Sequence, residues 1–304
     1  MTDLRFGFQL TPTTDLARHR DLVAVAEENG LDLVGVQDHP YVASHVDAMA
    51  LIGDLLARTE RLRFFPDVVS LPLRPPATLA KTAAALDLLS GGRFELGLGA
   101  GGYWPGITSL GVAEQSPADA LDALAEAIGL MRALWQDGTP RVTAEGKYFS
   151  ANVKAGPAPA HPVEIWVGSI GTRSQQLTGR LADGWAAPIP SYLPYEKWVP
   201  ANATIDRAAR EAGRDPAEVR RIAQITGTVT ETRGDTDTSR GAEPFRGTPD
   251  QWASYFARLA SEQPFRTFVL WPEEHTAEQI ERFATQVVPA TRALLGAEAA
   301  APGR

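Results

Sequence analysis

The chain has 304 residues, 44% of them hydrophobic, with a formal net charge of −8 and no cysteine. That length suits one domain with a large core, the acidic balance with scattered lysines and arginines speaks against a nucleic-acid surface, and the lack of cysteine excludes disulfides, thiolate metal sites and cysteine nucleophiles. No window approaches 18 consecutive apolar residues and the start lacks a signal-peptide pattern, so the expectation is a cytoplasmic protein with no membrane partner.

Along the chain, short β-like runs alternate with amphipathic stretches. The first run is Arg5 to Leu10, and Gly30 stands where a glycine would close the helical stretch after it. The second and third runs are Leu33 to Gln37 and Leu62 to Val69, and the fourth is Phe94 to Gly99. A helical face follows, carrying Leu121, Leu124, Ile128, Met131 and Trp135. Pro140 to Pro162 is a polar, proline-bearing insertion after the fourth strand, with a short hairpin expected over Arg141 to Phe149. Glu164 to Val167, Gly184 to Ala187 and Ile222 to Val229 are the next three runs. Thr230 to Gly247, rich in Thr, Arg, Asp and Gly, reads as a mobile loop after the seventh strand. Thr267 to Trp271 is the eighth run, and Ile280, Phe283, Ala284, Val287 and Val288 form the last helical stripe. Eight strands alternating with helices predict an α/β fold, a (β/α)8 TIM barrel with insertions after the fourth and seventh strands. One domain over residues 1–296 and a disordered tail over 297–304 are expected.

A barrel of this kind works at the C-terminal ends of its strands. The residues there are Gln9 and Thr11, Asp38 and His39, Val69 and Ser70, Ala100 to Gly102, Gly168 and Ser169, Trp185, Thr226 and Thr228, and Trp271. Small and aromatic side chains with a single histidine suit a flat aromatic cofactor better than a metal. Gly97, Gly99 and Gly102 match a dinucleotide-binding glycine pattern literally, but Tyr103-Trp104-Pro105-Gly106 reads as loop where that fingerprint needs a helix. Gly168 to Ser174 is a glycine-bearing turn into a helix, which binds phosphate through backbone N–H groups or is an ordinary loop. His39 could line a site, sit in the core or ligate a metal with His45 and Asp47; Phe6-Gly7-Phe8 stands where metal-dependent barrel hydrolases carry paired histidines. Trp104, Trp185 and Trp271 are candidates for lining a substrate pocket together with Gln9.

The segment Ala80 to Gly101, containing Leu88-Leu89-Ser90-Gly91-Gly92-Arg93, resembles the most recognisable stretch of the luciferase-like flavin and deazaflavin oxidoreductases. Leu71-Pro72-Leu73-Arg74-Pro75-Pro76, Val167 to Arg173, Gly179 to Trp185 and Asp38-His39 are similar to other parts of that family, so the resemblance spans roughly residues 5 to 290. It implies a cofactor site built from Asp67, Val68, Val69 and Ser70, from Ala100, Gly101 and Gly102, and from Gly168, Ser169, Ile170, Gly171, Thr172 and Arg173. It also implies a non-prolyl cis peptide near Asp67-Val68-Val69, a pocket role for His39 with Asp38 as catalytic candidates, and a homodimer. The cofactor implied is coenzyme F420, for hydride transfer, or reduced FMN, for monooxygenation with a separate reductase as partner. Asp38-His39 and the arginine-rich, lysine-poor composition favour F420. A small organic molecule is the expected substrate, and a non-catalytic flavin-binding barrel is the rival reading. One position departs from the family: where its sugar-phosphate dehydrogenases carry an acidic glutamate, this chain has Gly102.

Overall fold

Short apolar runs bounded by turn residues become buried parallel strands, and the amphipathic stretches between them pack over the outside. The computed structural model describes residues 4–138, 141–234 and 244–300. In chain order its elements begin with β1 (Arg5–Leu10), α1 (Leu16–Glu28), β2 (Leu33–Val36), α2 (Ala48–Leu56), β3 (Arg63–Pro66), β4 (Val69–Ser70), α3 (Pro76–Ser90) and β5 (Leu96–Gly99). They continue with α4 (Trp104–Ser109), α5 (Pro117–Leu134), β6 (Arg141–Glu145), β7 (Ser150–Lys154), β8 (Ile165–Val167), α6 (Thr172–Leu181), β9 (Gly184–Ala187) and α7 (Trp198–Glu211). The last are β10 (Arg220–Val229), β11 (Phe245–Gly247), α8 (Pro249–Glu262), β12 (Thr267–Pro272), α9 (Ala277–Arg282) and α10 (Val288–Ala300).

The main sheet runs β3-β2-β1-β12-β10-β9-β8-β5-β4, with every neighbouring pair parallel. Its ends meet. Phe64 N donates to Arg93 O and Glu95 N donates to Phe64 O, both at 2.9 Å, which closes the sheet into a barrel. β3 and β4 are two halves of one stave, so the barrel has eight staves, as expected.

Alternation along each strand divides the side chains between two cores. Leu33, Phe65, Trp166, Ile222 and Val269 plug the barrel interior. Phe6, Phe8, Val34, Val36, Leu96, Leu98, Val167 and Trp185 face the helices instead. Phe256 of α8, for example, stacks on Phe268 of β12 at 4.8 Å.

The Leu88 to Arg93 segment is a brace. Gly91 ends α3 in the left-handed conformation at φ 68°, where glycine is favoured. Arg93 then donates to Leu62 O, Leu56 O and Thr59 O at 2.9–3.0 Å and to Ser90 O at 2.9 Å. One guanidinium thereby satisfies carbonyls at the end of α2 and at the entry to β3.

Several expectations change. The third strand is not continuous: it breaks between Pro66 and Val69, at the cis Asp67-Val68 peptide that the family resemblance implied. The hairpin extends further than Phe149, because β6 pairs antiparallel with β7 from Arg141↔Lys154 to Glu145↔Ser150. Trp104 to Ser109 is a short helix, with Pro105 in its first turn where a missing N–H costs nothing. Of the loop after the seventh strand, residues 235–243 lie outside the described residues, and Phe245 to Gly247 pairs with β10 as a short parallel strand. At the C-terminus α10 runs to residue 300, and residues 301–304 lie outside the described residues. Among the described residues no helix is long and apolar enough to cross a membrane.

Candidate active site

The break in the third stave creates the floor of the site. Val68, half-buried, lies where β4 restarts. A Cβ on Gly97, Gly99 or Gly168 would come within 3.1 Å of its methyl groups. Gly97 and Gly99 of β5 and Gly168, just after β8, are therefore a cradle for Val68, which raises this one side chain above the apolar plug. Asp67 precedes it and faces the interior, buried, with Gln224 Nε2 of β10 donating to its Oδ1 at 3.0 Å. Burial pushes the Asp67 carboxyl up to about 7 against the pull of the Gln224 amide. Ser70, at the register position of Gly99, has a buried hydroxyl with no partner, while Val69 faces the outer core.

Gly168 connects this floor to a second feature. Three residues later Gly171 caps α6 without any side-chain cap. Ser174 Oγ donates to Gly171 O and Gln175 Nε2 donates to Ile170 O, both at 2.8 Å, so the loop's carbonyls are tied back to the helix. Its first-turn N–H groups point out of the helix end. Ile170, Gly171, Thr172 and Arg173 are exposed around them. Ser169 is different: it is buried, its hydroxyl accepts from Thr178 Oγ1 at 3.1 Å, and its carbonyl accepts from Trp185 Nε1 at 3.0 Å.

His39 leaves β2 half-buried at the mouth. Its ring stacks on Tyr41 at 5.4 Å and on His45 at 6.4 Å. Burial lowers its pKa, His45 lowers it further, and Asp38 opposes both without prevailing. Tyr41 in turn meets Tyr103 at 5.5 Å, joining the loop after β2 to the loop after β5. Asp38 is buried in a two-pronged ion pair, with Arg74 Nη2 2.7 Å from Oδ1 and Arg74 Nε 3.2 Å from Oδ2. Ala100 and Gly101 are half-buried, Gly102 is exposed beside them, and Trp104 opens α4 half-buried.

The remaining pocket candidates separate. Trp271 ends β12 half-buried, at the register position of Thr226. Gln9 is fully buried; its Nε2 donates to Leu10 O at 3.1 Å and its Oε1 has no partner. Trp185 is not brought to the mouth. Gly184 pairs with inward-facing Trp166, so Trp185 faces outward, fully buried, with its ring 6.1 Å from Phe265 under α7. The sequence reading missed Gln224, Arg74 and Tyr41 as members of the site. A glutamine two residues after Ile222 in a largely apolar run was the available signal for the first.

Among the described residues no group of three or more His, Asp or Glu lies together as a metal would require. The residues do fit a planar cofactor with a phosphate: a raised apolar side chain on a glycine bed, an unpartnered buried hydroxyl at Ser70, and an open helix N-terminus reached through Gly168.

A family model described as luciferase-like monooxygenase matches residues 2–290. An F420-dependent glucose-6-phosphate dehydrogenase of Nakamurella multipartita is 32% identical over 193 residues, covering 60% of this chain and 55% of that protein. The chain thus spans about half the length of that curated relative. Two solved structures share the fold. The coenzyme F420-dependent tetrahydromethanopterin reductase of Methanopyrus kandleri has a TM-score of 0.77 at 19% identity, covering 94% of this chain and 99% of that one. The oxygenating constituent of the 3,6-diketocamphane monooxygenase of Pseudomonas putida, in complex with FMN, has a TM-score of 0.75 at 18% identity, covering 95% and 98%. With the family model matched across nearly the whole barrel, the chain belongs to the luciferase-like monooxygenase family.

Proposed function

We propose that the chain is an oxidoreductase that binds F420, or alternatively FMN, across the mouth of the barrel and acts on a small organic substrate. The observation that carries this reading is the continuity of the Val68 floor, through Gly168, with the uncapped N-terminus of α6. A ring resting on Val68 and a phosphate at Thr172 to Ser174 would use both at once. When bound, F420 would supply hydride transfer and reduced FMN would supply oxygen activation, the latter with a separate reductase delivering the reduced form.

The chain's own residues then bind, orient and move a proton. Arg173 and the first-turn N–H groups of α6 hold negative charge. His39, neutral at neutral pH because burial outweighs Asp38, is placed to accept a proton at a ring nitrogen. Asp38 fixes the loop through Arg74 and is no free base. Tyr41, Tyr103, Trp104 and Trp271 give the mouth an aromatic lining, and Gly102 offers no acid there, which favours an apolar substrate over a sugar phosphate.

The test is titration of FMN and F420 side by side, read by quenching of their fluorescence. Saturable binding of one, abolished when phosphate-free riboflavin replaces FMN or the equivalent headless deazaflavin replaces F420, supports the reading. No quenching by either cofactor ends it. A cofactor bound tightly but never turned over with any organic substrate would favour the non-catalytic barrel.

A further inference from the structure

Inside the barrel, Gln9 Oε1 is buried without a partner. Immediately below the Val68 floor, Asp67 Oδ2 and Gln224 Oε1 lack one as well. Both belong to one pair of residues already joined by a hydrogen bond, Gln224 Nε2 to Asp67 Oδ1 at 3.0 Å. A carboxylate cannot satisfy this arrangement, because it only accepts and leaves both oxygens bare. A neutral acid can: its O–H supplies the one donor that the pair lacks. An unmade hydrogen bond on a buried polar atom is costly, so two bare oxygens on one joined pair weigh against the ionised form.

We propose that Asp67 is a protonated positioning residue whose Oδ2–H donates to Gln224 Oε1, forming a closed acid–amide pair across the barrel that holds the Val68 floor. The side chains that the registers turn inward beside it are Gln9 of β1, Gly35 of β2, Phe65 of β3 and Gln224 of β10, and none of them titrates. The influences on the Asp67 carboxyl are burial, then the Gln224 amide. Nothing charged is therefore set against the proton. The positioning role rests on the cofactor reading above; the shared proton does not.

The experiment compares the whole chain with Asp67→Asn, whose amide rebuilds the pair without a titrating group. A carboxyl with a raised folded pKa makes the folded chain hold more protons than the unfolded one, so stability falls as pH rises. Wild-type Tm should therefore drop relative to Asp67→Asn from about pH 4 to about pH 7, by on the order of 5 °C, and level off above. Parallel wild-type and Asp67→Asn curves overturn the proposal.

Cofactor titrations at about pH 6 and about pH 9 read the positioning role, because ionised Asp67 loses half of the pair. Affinity should weaken about tenfold with rising pH in wild type, stay constant in Asp67→Asn, and be poor at both in Asp67→Ala. A wild-type affinity that does not change with pH overturns the positioning role. A stability difference that persists while neither cofactor binds at any pH sinks only the cofactor reading.

Discussion

Arg74 holds both oxygens of Asp38, at 2.7 and 3.2 Å, and reaches Asp47 Oδ2 at 2.8 Å with the same guanidinium. Asp47 caps α2 through Ala50 N. A single side chain, four positions past β4, thus locks the loop that carries His39. Removing Arg74 would leave Asp38, whose side chain is 1% exposed, as a buried charge without its partner. Arg74→Ala should cost about 3 kcal/mol by denaturant unfolding, at the low end for a buried pair because Arg74 is itself partly exposed. Arg74→Lys keeps the charge, loses the fork and should cost less. Equal stability of all three chains would show that the loop is held by other contacts.

The second prediction concerns His39. Its pKa is lowered by burial and by His45, so an NMR titration should place it below its free value and below that of an exposed histidine. His39→Ala should reduce turnover, normalised to bound cofactor, on the order of 10²- to 10⁴-fold, with cofactor affinity changed far less. Full normalised turnover with lowered thermal stability would leave His39 as a wall of the pocket.

At the opposite end of the barrel, His161 is clamped between two carboxylates. Its Nδ1 lies 2.8 Å from Asp87 Oδ1, its Nε2 lies 3.2 Å from Glu95 Oε1, and Asp87 Oδ2 accepts from its backbone N–H. Glu95 Oε1 also accepts from Arg63 Nη2 at 2.6 Å, and the same Nη2 lies 2.8 Å from His161 Nε2, a donor that opposes a proton there. The Asp87 bond, then the Glu95 bond, raise the His161 pKa to about 9 against burial. The charged form is thus favoured in the folded state. Its contribution is fully present below the unfolded value of about 6.5 and is lost as pH rises through about 9. The stability difference between wild type and His161→Gln should shrink over that window, from up to about 3 kcal/mol. A constant difference from about pH 6 to about pH 10 would mean that the His161 pKa is the same folded and unfolded.

A fourth variant set addresses the start of α6. Arg173→Ala with Thr172→Val should weaken cofactor binding by about 1 to 3 kcal/mol, because charge-assisted contacts outweigh neutral ones. Ser169→Ala should leave affinity almost unchanged, since that hydroxyl is engaged with Thr178 inside the fold. Calorimetric titration of the three proteins checks both halves, and a Ser169 effect exceeding the Arg173 effect would reverse the assignment.

The barrel was legible because fully buried parallel strands write themselves as short apolar runs, and all eight runs fall on staves. Their interruptions were less so. Phe64 to Ser70 is apolar on both sides of Pro66-Asp67, so the run read as one strand although the family resemblance implied a cis peptide within it. Strand β7, Ser-Ala-Asn-Val-Lys, is largely exposed and carries no burial pattern, which is why the hairpin seemed to stop at Phe149. Trp185 looked like a strand-end aromatic, but its face depends on the register of Gly184 with Trp166, which only the assembled sheet fixes. The Asp38–Arg74 and Asp67–Gln224 pairs join residues 36 and 157 positions apart, and no local pattern encodes such distances.

The central claim is that one cofactor lies on Val68 with its phosphate at the start of α6. A crystal structure of the chain saturated with whichever of FMN and F420 it binds tests this most directly. The ring is expected in contact with the Val68 methyl groups, with phosphate oxygens accepting from the N–H groups of Thr172 to Ser174. A phosphate bound elsewhere, or a ring that does not touch Val68, would contradict it.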